Sequence, residues 1–426
     1  MIIRWFFSST VREACAMRKH VHHLLCAQRD VLTPPAIGGV TLAMNHLRDT
    51  IAAGENTGKI RIKMDELDFA ANKWLKPYPH ALWRENVEVI LVAVAVAMAI
   101  RTFFLQPFKI PTGSMQPTLF GVISKNHLPH DGQPGDPKFK APTGWERIKE
   151  WFAGVSYIHV VADTDGELQA VEPPVRFLIF NLWQKIWIGG QSQTILFPPD
   201  YGEAPQGMDP LVYRAGLHPH TEFERGQFYH KGDDVVKLQV SAGDHLFVDR
   251  VSYNFRKPQR GDIIVFATSG VPEDRRAAVG MPGDQFYIKR LVGLGGETLA
   301  LAQDYEVTGA PQFGGETVPV GHLVVDGQPL SASTPHFENL YSFPGVPPGT
   351  KTLHYQDNQY YGHALIRALG PGREFQVSTN HLFVMGDNTM NSSDSRFWGD
   401  FPAASSIGKS FFVFWPITKR FGWGNQ

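Results

Sequence analysis

Cysteine is nearly absent from this chain. Its 426 residues hold two, Cys15 and Cys26, so no disulfide framework and no CxxC metal site can exist beyond the first few turns of chain. An excess of charge is missing too: the formal net charge is −1, which removes the global electrostatic argument for a nucleic-acid or acidic partner. Histidine is plentiful at 17, yet neither HExxH nor any paired Cys/His spacing occurs, and no metal is expected. His20, His22 and His23 cluster, but a solvated helix face accounts for them more simply than weak metal binding does. Gly293-Leu294-Gly295-Gly296-Glu297 lacks the GK[ST] ending of a phosphate loop and reads as a β-turn, so no nucleotide cofactor is expected either. No fixed-period repeat runs through the chain.

What is abundant points to strands and turns. Glycine (41) and proline (31) are frequent and aromatics reach 12%, which favours a mainly β protein over a helical bundle. The length suits two or three folded units. β-branched and aromatic runs bounded by Gly, Pro or Asp predict strands at His245 to Tyr253, Asp262 to Ala267, Gln285 to Leu294, His381 to Gly386 and Ser410 to Ile417.

One apolar run is of membrane grade. Val89 to Ile100 is uncharged, but twelve residues at about 1.5 Å each reach only about 18 Å. Extended from Val87 to Leu105 it reaches about 28 Å, close to the ~30 Å of a hydrocarbon core. Glu88 and Arg101 then lie near the two ends, where long side chains snorkel to the headgroups, and Trp83, Phe103 and Phe104 fit an interfacial belt. The competing reading is a buried core helix of a soluble domain. Lys73, Lys76 and Arg84 precede the run and only Lys109 follows it closely, so the positive-inside rule puts the preceding residues in the cytoplasm and the rest outside. Pro107 ends the run without a small-residue cleavage site, so it reads as an anchor and not as a removed leader.

The remainder divides by composition. Residues 1–80 read as short amphipathic helices broken at Pro34-Pro35, with Ile37, Val40, Met44, Leu47 and Ile51 on one apolar face. Met17 opens a basic helix and is an alternative start. Residues 81–106 are the transmembrane helix and 107–426 a β-rich domain. Within that domain, 123–242 reads as an insertion, with a Pro/Gly/His-rich loop at Asn126 to Pro142, helix from Trp145 to Phe152, and scattered Trp and Phe. Residues 298–380 are a second divergent stretch with turns at Gly314-Gly315 and Pro347-Pro348-Gly349.

Chemistry concentrates at three places. Ser114 lies in Ile110-Pro111-Thr112-Gly113-Ser114-Met115-Gln116-Pro117 just beyond the span, and Lys289 lies in Tyr287-Ile288-Lys289-Arg290-Leu291-Val292. A serine hydroxyl needs a base to become a nucleophile. A lysine serves only when burial lowers its pKa, by up to about 3–5 units from ~10.4. Ile288, Leu291 and Val292 supply apolar surroundings, and strand alternation points Arg290 to the other face. The alternative is a solvated Lys-Arg pair on an edge strand. Gly113 permits a tight turn and Thr112 offers a hydroxyl to an oxyanion beside the Ser114 N–H, although the same residues also suit an ordinary turn. The third place is Gly386 to Gly399, a dense polar loop suited to buried hydrogen bonds and an ion pair of Asp394 with Arg396 or Arg290, or to an exposed loop.

Together these blocks resemble the bacterial type I signal peptidases (leader peptidases), a family of membrane-anchored Ser/Lys-dyad endopeptidases. Four segments carry the likeness in order after the span: Phe108 to Leu119, Gly243 to Phe266, Tyr287 to Glu297 and Gly386 to Gly399. The resemblance implies a membrane-anchored signal-peptidase-type β-rich catalytic domain that removes signal peptides from exported preproteins after small residues at −1 and −3. It implies Ser114 as nucleophile and Lys289 as general base, with no cofactor. Thr112 and the Ser114 N–H would form the oxyanion hole, and Ser392 would orient the lysine. Arg290, Asp394 and Arg396 would form a supporting ion-pair network. Ile110, Pro111, Met115 and Ile288 would wall the substrate pockets. Secretory preproteins, the lipid bilayer and the translocation machinery are the implied partners, without nucleic acid, and the implied location is the bacterial inner membrane with the catalytic domain on the extracytoplasmic side. Two rivals remain: a non-catalytic anchored β-domain scaffolding exported proteins, and a related Ser/Lys peptidase acting on a different target. The long 123–242 stretch and the N-terminal 86 residues depart from the family pattern without touching the Ser and Lys motifs.

Overall fold

A computed structural model describes residues 8–76, 81–129, 135–136, 139–177, 180–205, 207–341, 349–356 and 362–423. The expected turn at Pro347-Pro348 and part of the Asn126–Pro142 loop lie outside the described residues. The chain divides into two units, Met1–Ala95 and Val96–Gln426.

The first unit carries three packed helices, α1 (Ser9–Gln28), α2 (Pro34–Ala52) and α3 (Thr57–Trp74). Pro34-Pro35, expected as a break, begins α2. Proline at the first helical turn gives up only an N–H that has no partner there anyway. Asn56 caps α3 by accepting from Lys59 N at 2.9 Å. The apolar face expected on α2 is buried at Val40, Met44, Leu47 and Ile51, against Val11 and Leu25 of α1 and Ile60 and Leu67 of α3.

Helix α4 (Ala81–Phe103) contains the apolar run. Trp83–Phe103 has a mean hydropathy of 1.9 and none of it is buried. Its 23 residues span about 35 Å, enough to cross a bilayer by length and composition. Because its side chains are exposed, the alternative of a buried core helix fails.

Strand follows directly. Among the described residues, the main sheet is built from β1 (Leu105–Lys109), β2 (His245–Asp249), β3 (Ile263–Ala267), β4 (Phe286–Leu294), β5 (His381–Met385), β6 (Phe401–Pro402), β7 (Ser406–Trp415) and β8 (Gly422–Trp423). Its order is β1-β2-β7-β3-β4-β5-β6, with β8 on β7, and every pairing is antiparallel. Both faces are covered. Ile263 and Val265 pack with Ile110, Met115 and Leu246, while Ile264 and Phe266 pack with Trp398 and Phe401. This is why β3 shows a run of apolar residues and not an alternating pattern. The five strands expected from the sequence all form, with ends moved by a few residues. The expected His245–Tyr253 strand stops at Asp249, where Asp249 Oδ1 accepts from Val251 N and Ser252 N at 2.8 and 3.0 Å and turns the chain.

The two divergent stretches form sheets of their own. Ile123–Asn126, Asp234–Ser241 and Val155–Val161 pair in that order, and a second sheet is centred on Phe180–Ile188. Leu168, Ile186, Ile188, Val236 and Leu238 fill their core. The expected helix is present as α5 (Gly144–Phe152). Farther on, Thr298–Thr308 and Val318–Val325 pair as the centre of a further sheet.

Candidate active site

Ser114 is placed by a tight 3-10 turn, Gly113–Met115, that leaves the end of β1. Its backbone is tied to the polar loop after β5: Asn388 N donates to Ser114 O at 3.0 Å, and Asn388 Nδ2 donates to Gly113 O at 3.1 Å. Gly386 lets the two segments touch. A Cβ there would lie 2.1 Å from Ser392 Oγ and 2.5 Å from the Ser114 carbonyl oxygen, distances no real side chain tolerates. Gly386→Ala is therefore expected to destabilise the fold by about 1–3 kcal/mol through forced displacement, read as a lower midpoint in chemical denaturation. An unchanged midpoint would mean that the two segments do not touch.

Lys289 arrives from the middle of the main sheet. On β4 it pairs with Ile264 of β3, and its neighbour Arg290 pairs with Met385 of β5. The strand is interior, so the alternative of a solvated pair on an edge fails: Lys289 is 5% exposed and Arg290 2%. Lys289 Nζ donates to Ser114 Oγ at 2.7 Å. Burial pushes this amine down from its ordinary range to about 8, because a charged form out of water loses its hydration. The Asp394 and Asp387 carboxylates oppose that fall, and the Arg396 guanidinium adds to it. Thr112 Oγ1 donates to Ser114 Oγ at 3.4 Å, the long end of a hydrogen bond.

Two buried ion pairs stand behind the pair. Arg396 Nε and Nη2 donate to the two carboxylate oxygens of Asp394 at 2.8 and 2.7 Å. Its Nη1 donates to Ala364 O at 3.0 Å and to Thr389 Oγ1 at 2.7 Å. Burial alone would raise the Asp394 carboxyl, but Arg396 and the Gly386 N–H hold it below the usual carboxylate range. The sequence left Asp394 two possible partners, Arg396 and Arg290, and it pairs with Arg396. Arg290 grips Asp387 through Nε and Nη2 at 2.7 and 2.6 Å, donates to Gly261 O, and reaches Thr118 Oγ1 at 3.1 Å. Consecutive residues of a strand point to opposite faces, and the two cations do part: Lys289 to Ser114, Arg290 to Asp387.

Ser392 is buried, yet its Oγ has no hydrogen-bond partner in good geometry and makes no bond to Lys289. It comes close enough to Asp394 to help hold that carboxyl down. Ile110 and Met115 are sealed in the core cluster under the main sheet, with Ile288 partly buried against them, while Pro111 is half-buried. Asp387, Thr118, Thr389 and Asn388 were not singled out in the sequence. Each lies inside a block that carried the family likeness, but nothing local marks a threonine or asparagine as the partner of a residue far away in the chain. Among the described residues, no group of His, Cys, Asp and Glu could hold a metal ion.

The comparisons with known proteins fall on the same segments. A family model described as signal peptidase, peptidase S26, matches residues 83–126 and 234–415, more than half of the chain. A signal peptidase I of Leptolyngbya laminosa is 31% identical over 180 residues, covering 42% of this chain and 64% of that protein. A probable signal peptidase I-1 of Synechocystis sp. is 31% identical over 191 residues, covering 45% of this chain and 70% of the relative. A crystal structure of a signal peptidase I from Enterococcus faecalis V583 aligns with 25% identity and a TM-score of 0.21, over 36% of this chain and 97% of that one. The stretch between the two matched segments, residues 127–233, has no counterpart in the family model.

Proposed function

Because the chain belongs to the signal peptidase family, peptidase S26, we propose that it is a membrane-bound serine endopeptidase that removes N-terminal signal peptides from exported preproteins. The observation that carries this reading is the 2.7 Å contact between a buried lysine amine and a serine hydroxyl. In the neutral state of Lys289 the polarity of that bond reverses, and Ser114 Oγ–H donates to the amine. Ser114 Oγ then bonds to the scissile carbonyl carbon as Lys289 Nζ takes the proton. The oxyanion forms beside the Ser114 N–H and the Thr112 hydroxyl; one such donor is typically worth about 2.7–4 kcal/mol. The C–N bond breaks, the Lys289 ammonium returns its proton to the leaving amine, and an acyl-enzyme remains. Lys289 next takes a proton from water, which attacks the ester and frees Ser114.

The Arg290–Asp387 and Arg396–Asp394 pairs hold the loop that carries Asn388, and Asn388 holds Ser114. Ser392, beside Asp394, limits the positions open to the lysine amine. Ile110, Met115 and Ile288 back shallow pockets near Pro111 that admit small side chains at −1 and −3. Helix α4 anchors the chain in the bacterial inner membrane, with the helical N-terminal segment cytoplasmic and the β-rich domain outside, beside translocating preproteins and the machinery that delivers them. Residues 123–242 form an insertion within that catalytic domain.

The test is to incubate the purified protein with a preprotein bearing an Ala-x-Ala junction and sequence the product's N-terminus. A single cut after the second Ala supports the proposal; no cut, or a cut elsewhere, overturns it. The pH dependence follows from the amine. With a pKa of about 8, about a tenth of molecules hold it neutral at pH 7, against well under 0.1% for an ordinary lysine. kcat/KM should accordingly rise about tenfold from pH 6 to 7 and level off above about 8. A limb centred near 6.5 would point to a histidine base instead.

A further inference from the structure

Among the described residues, the stretch without a family counterpart meets both ends of the loop that carries Ser114. After the strand Gln191–Leu196 the chain runs through Pro198, Asp200, Tyr201 and Glu203 along the rim of the loop that carries Ser114. The contacts that hold it there are specific. Asp200 forms an ion pair with Lys109, the last residue of β1. Gly202 N donates to Asp200 Oδ1 at 2.8 Å, and Tyr201 is buried. Gly202 adopts φ +80° and lies so close to Val122 that a Cβ on it would be 3.0 Å from the valine Cβ. Lys109 and Val122 are the two ends of the Ile110–Gly121 loop, so the rim is fastened at both sides of Ser114's own segment. Arg214 locks the far end by donating Nε to Tyr201 O at 3.1 Å and Nη2 to Glu203 O at 3.0 Å.

The charges on this rim are not all paired. Lys109 and Arg176 both face Asp200 and keep it ionised. Glu203 is exposed, and among the described residues its carboxylate enters no ion pair or side-chain hydrogen bond. Burial dominates the shifts of the Lys289 amine and of the Tyr287 hydroxyl two residues earlier on β4; Glu203 acts on both, and is the least of the charges that act on Lys289. A carboxylate held on a rigid rim, exposed to solvent and without a partner, attracts a mobile cation that enters the cleft.

We infer that Glu203 is a specificity-determining residue, which favours substrates carrying a basic side chain close to the scissile bond. The inference depends on the peptidase reading above and adds to it a charge preference supplied by the chain's own 127–233 stretch. The test uses the full-length protein and a set of peptides spanning an Ala-x-Ala junction, with a single lysine placed at each flanking position in turn. At low salt the wild type should cleave the best lysine peptide about threefold faster in kcat/KM than its uncharged parent, the scale of a solvent-exposed pair. The preference should shrink in high salt. Glu203→Gln should abolish it, and Glu203→Lys should invert it toward peptides bearing glutamate, each preference being the ratio of a charged peptide to the uncharged parent cleaved by the same variant. Cleavage with no charge preference, or a preference that Glu203→Lys leaves in place, overturns the inference alone. Absence of Ser114-dependent cleavage of the parent peptide overturns the peptidase reading and this inference with it.

Discussion

Replacing Lys289 with Met should give a protein that no longer cleaves preprotein and yet resists unfolding better than the wild type. Loss of either the nucleophile or its base typically costs about 10⁴–10⁶ in kcat, so Ser114→Ala and Lys289→Met should both fall to background. The stability gain comes from the amine. Its ordinary value near 10.5 is lowered to about 8 in the folded protein, so folding favours the neutral form. The favourable contribution is fully present only above about pH 10.5 and is lost as pH falls through about 8. At pH 7 the buried amine therefore costs roughly 3 kcal/mol, and methionine fills nearly the same space without a charge. Denaturation at pH 7 should show Lys289→Met more stable by about 1–3 kcal/mol, with the gap closing as pH approaches 10. A variant less stable at pH 7, or a gap indifferent to pH, would show that the amine is not sheltered. Ser114→Ala should leave stability within about 1 kcal/mol of wild type, which separates the two residues' roles.

Asp394→Asn should damage the fold more than any exposed substitution. Both Asp394 and Arg396 side chains are wholly buried, and removing one member of such a pair leaves a charge stranded in low dielectric, at a cost of about 3–5 kcal/mol. The substitution has a second, chemical consequence. Asp394 is the largest influence holding the Lys289 pKa up against burial, so its loss should carry the acid limb of kcat/KM to lower pH. A purely structural role would reduce stability and leave that limb in place. A compensating apolar pair, Asp394→Leu with Arg396→Met, should recover much of the lost stability, because neither ion then remains unpaired.

The sequence disclosed the elements better than their partnerships. Strand positions were legible because Ile263-Ile264-Val265-Phe266 and its counterparts are apolar runs cut by Gly, Pro or Asp, and that pattern is local. The helix face of Val40, Met44, Leu47 and Ile51 was legible for the same reason. Whether Lys289-Arg290 stood on an edge or in the interior was not, since that depends on β5 joining β4 from nearly a hundred residues away. The Arg290–Asp387 pair was hidden for a related reason: Asp387 and Asp394 sit in one polar loop, and only the folded geometry apportions them between the two arginines. Gly386 looked like any loop glycine until the Ser114 carbonyl was seen against it. Nothing in the composition of 123–242 announced that Glu203 would come to the rim of the site, because insertions are read as departures from a pattern and carry none of their own.

Ser114 and Lys289 are 175 residues apart in the chain, and of the three strands between β1 and β4 in the sheet, β2, β7 and β3, the middle one follows Lys289 by more than a hundred residues. Asn388, which steadies the serine, is likewise late. Contacts this remote form only after long loops have closed. On the mechanism proposed above, a nascent or half-assembled copy therefore has a hydroxyl with nothing to take its proton.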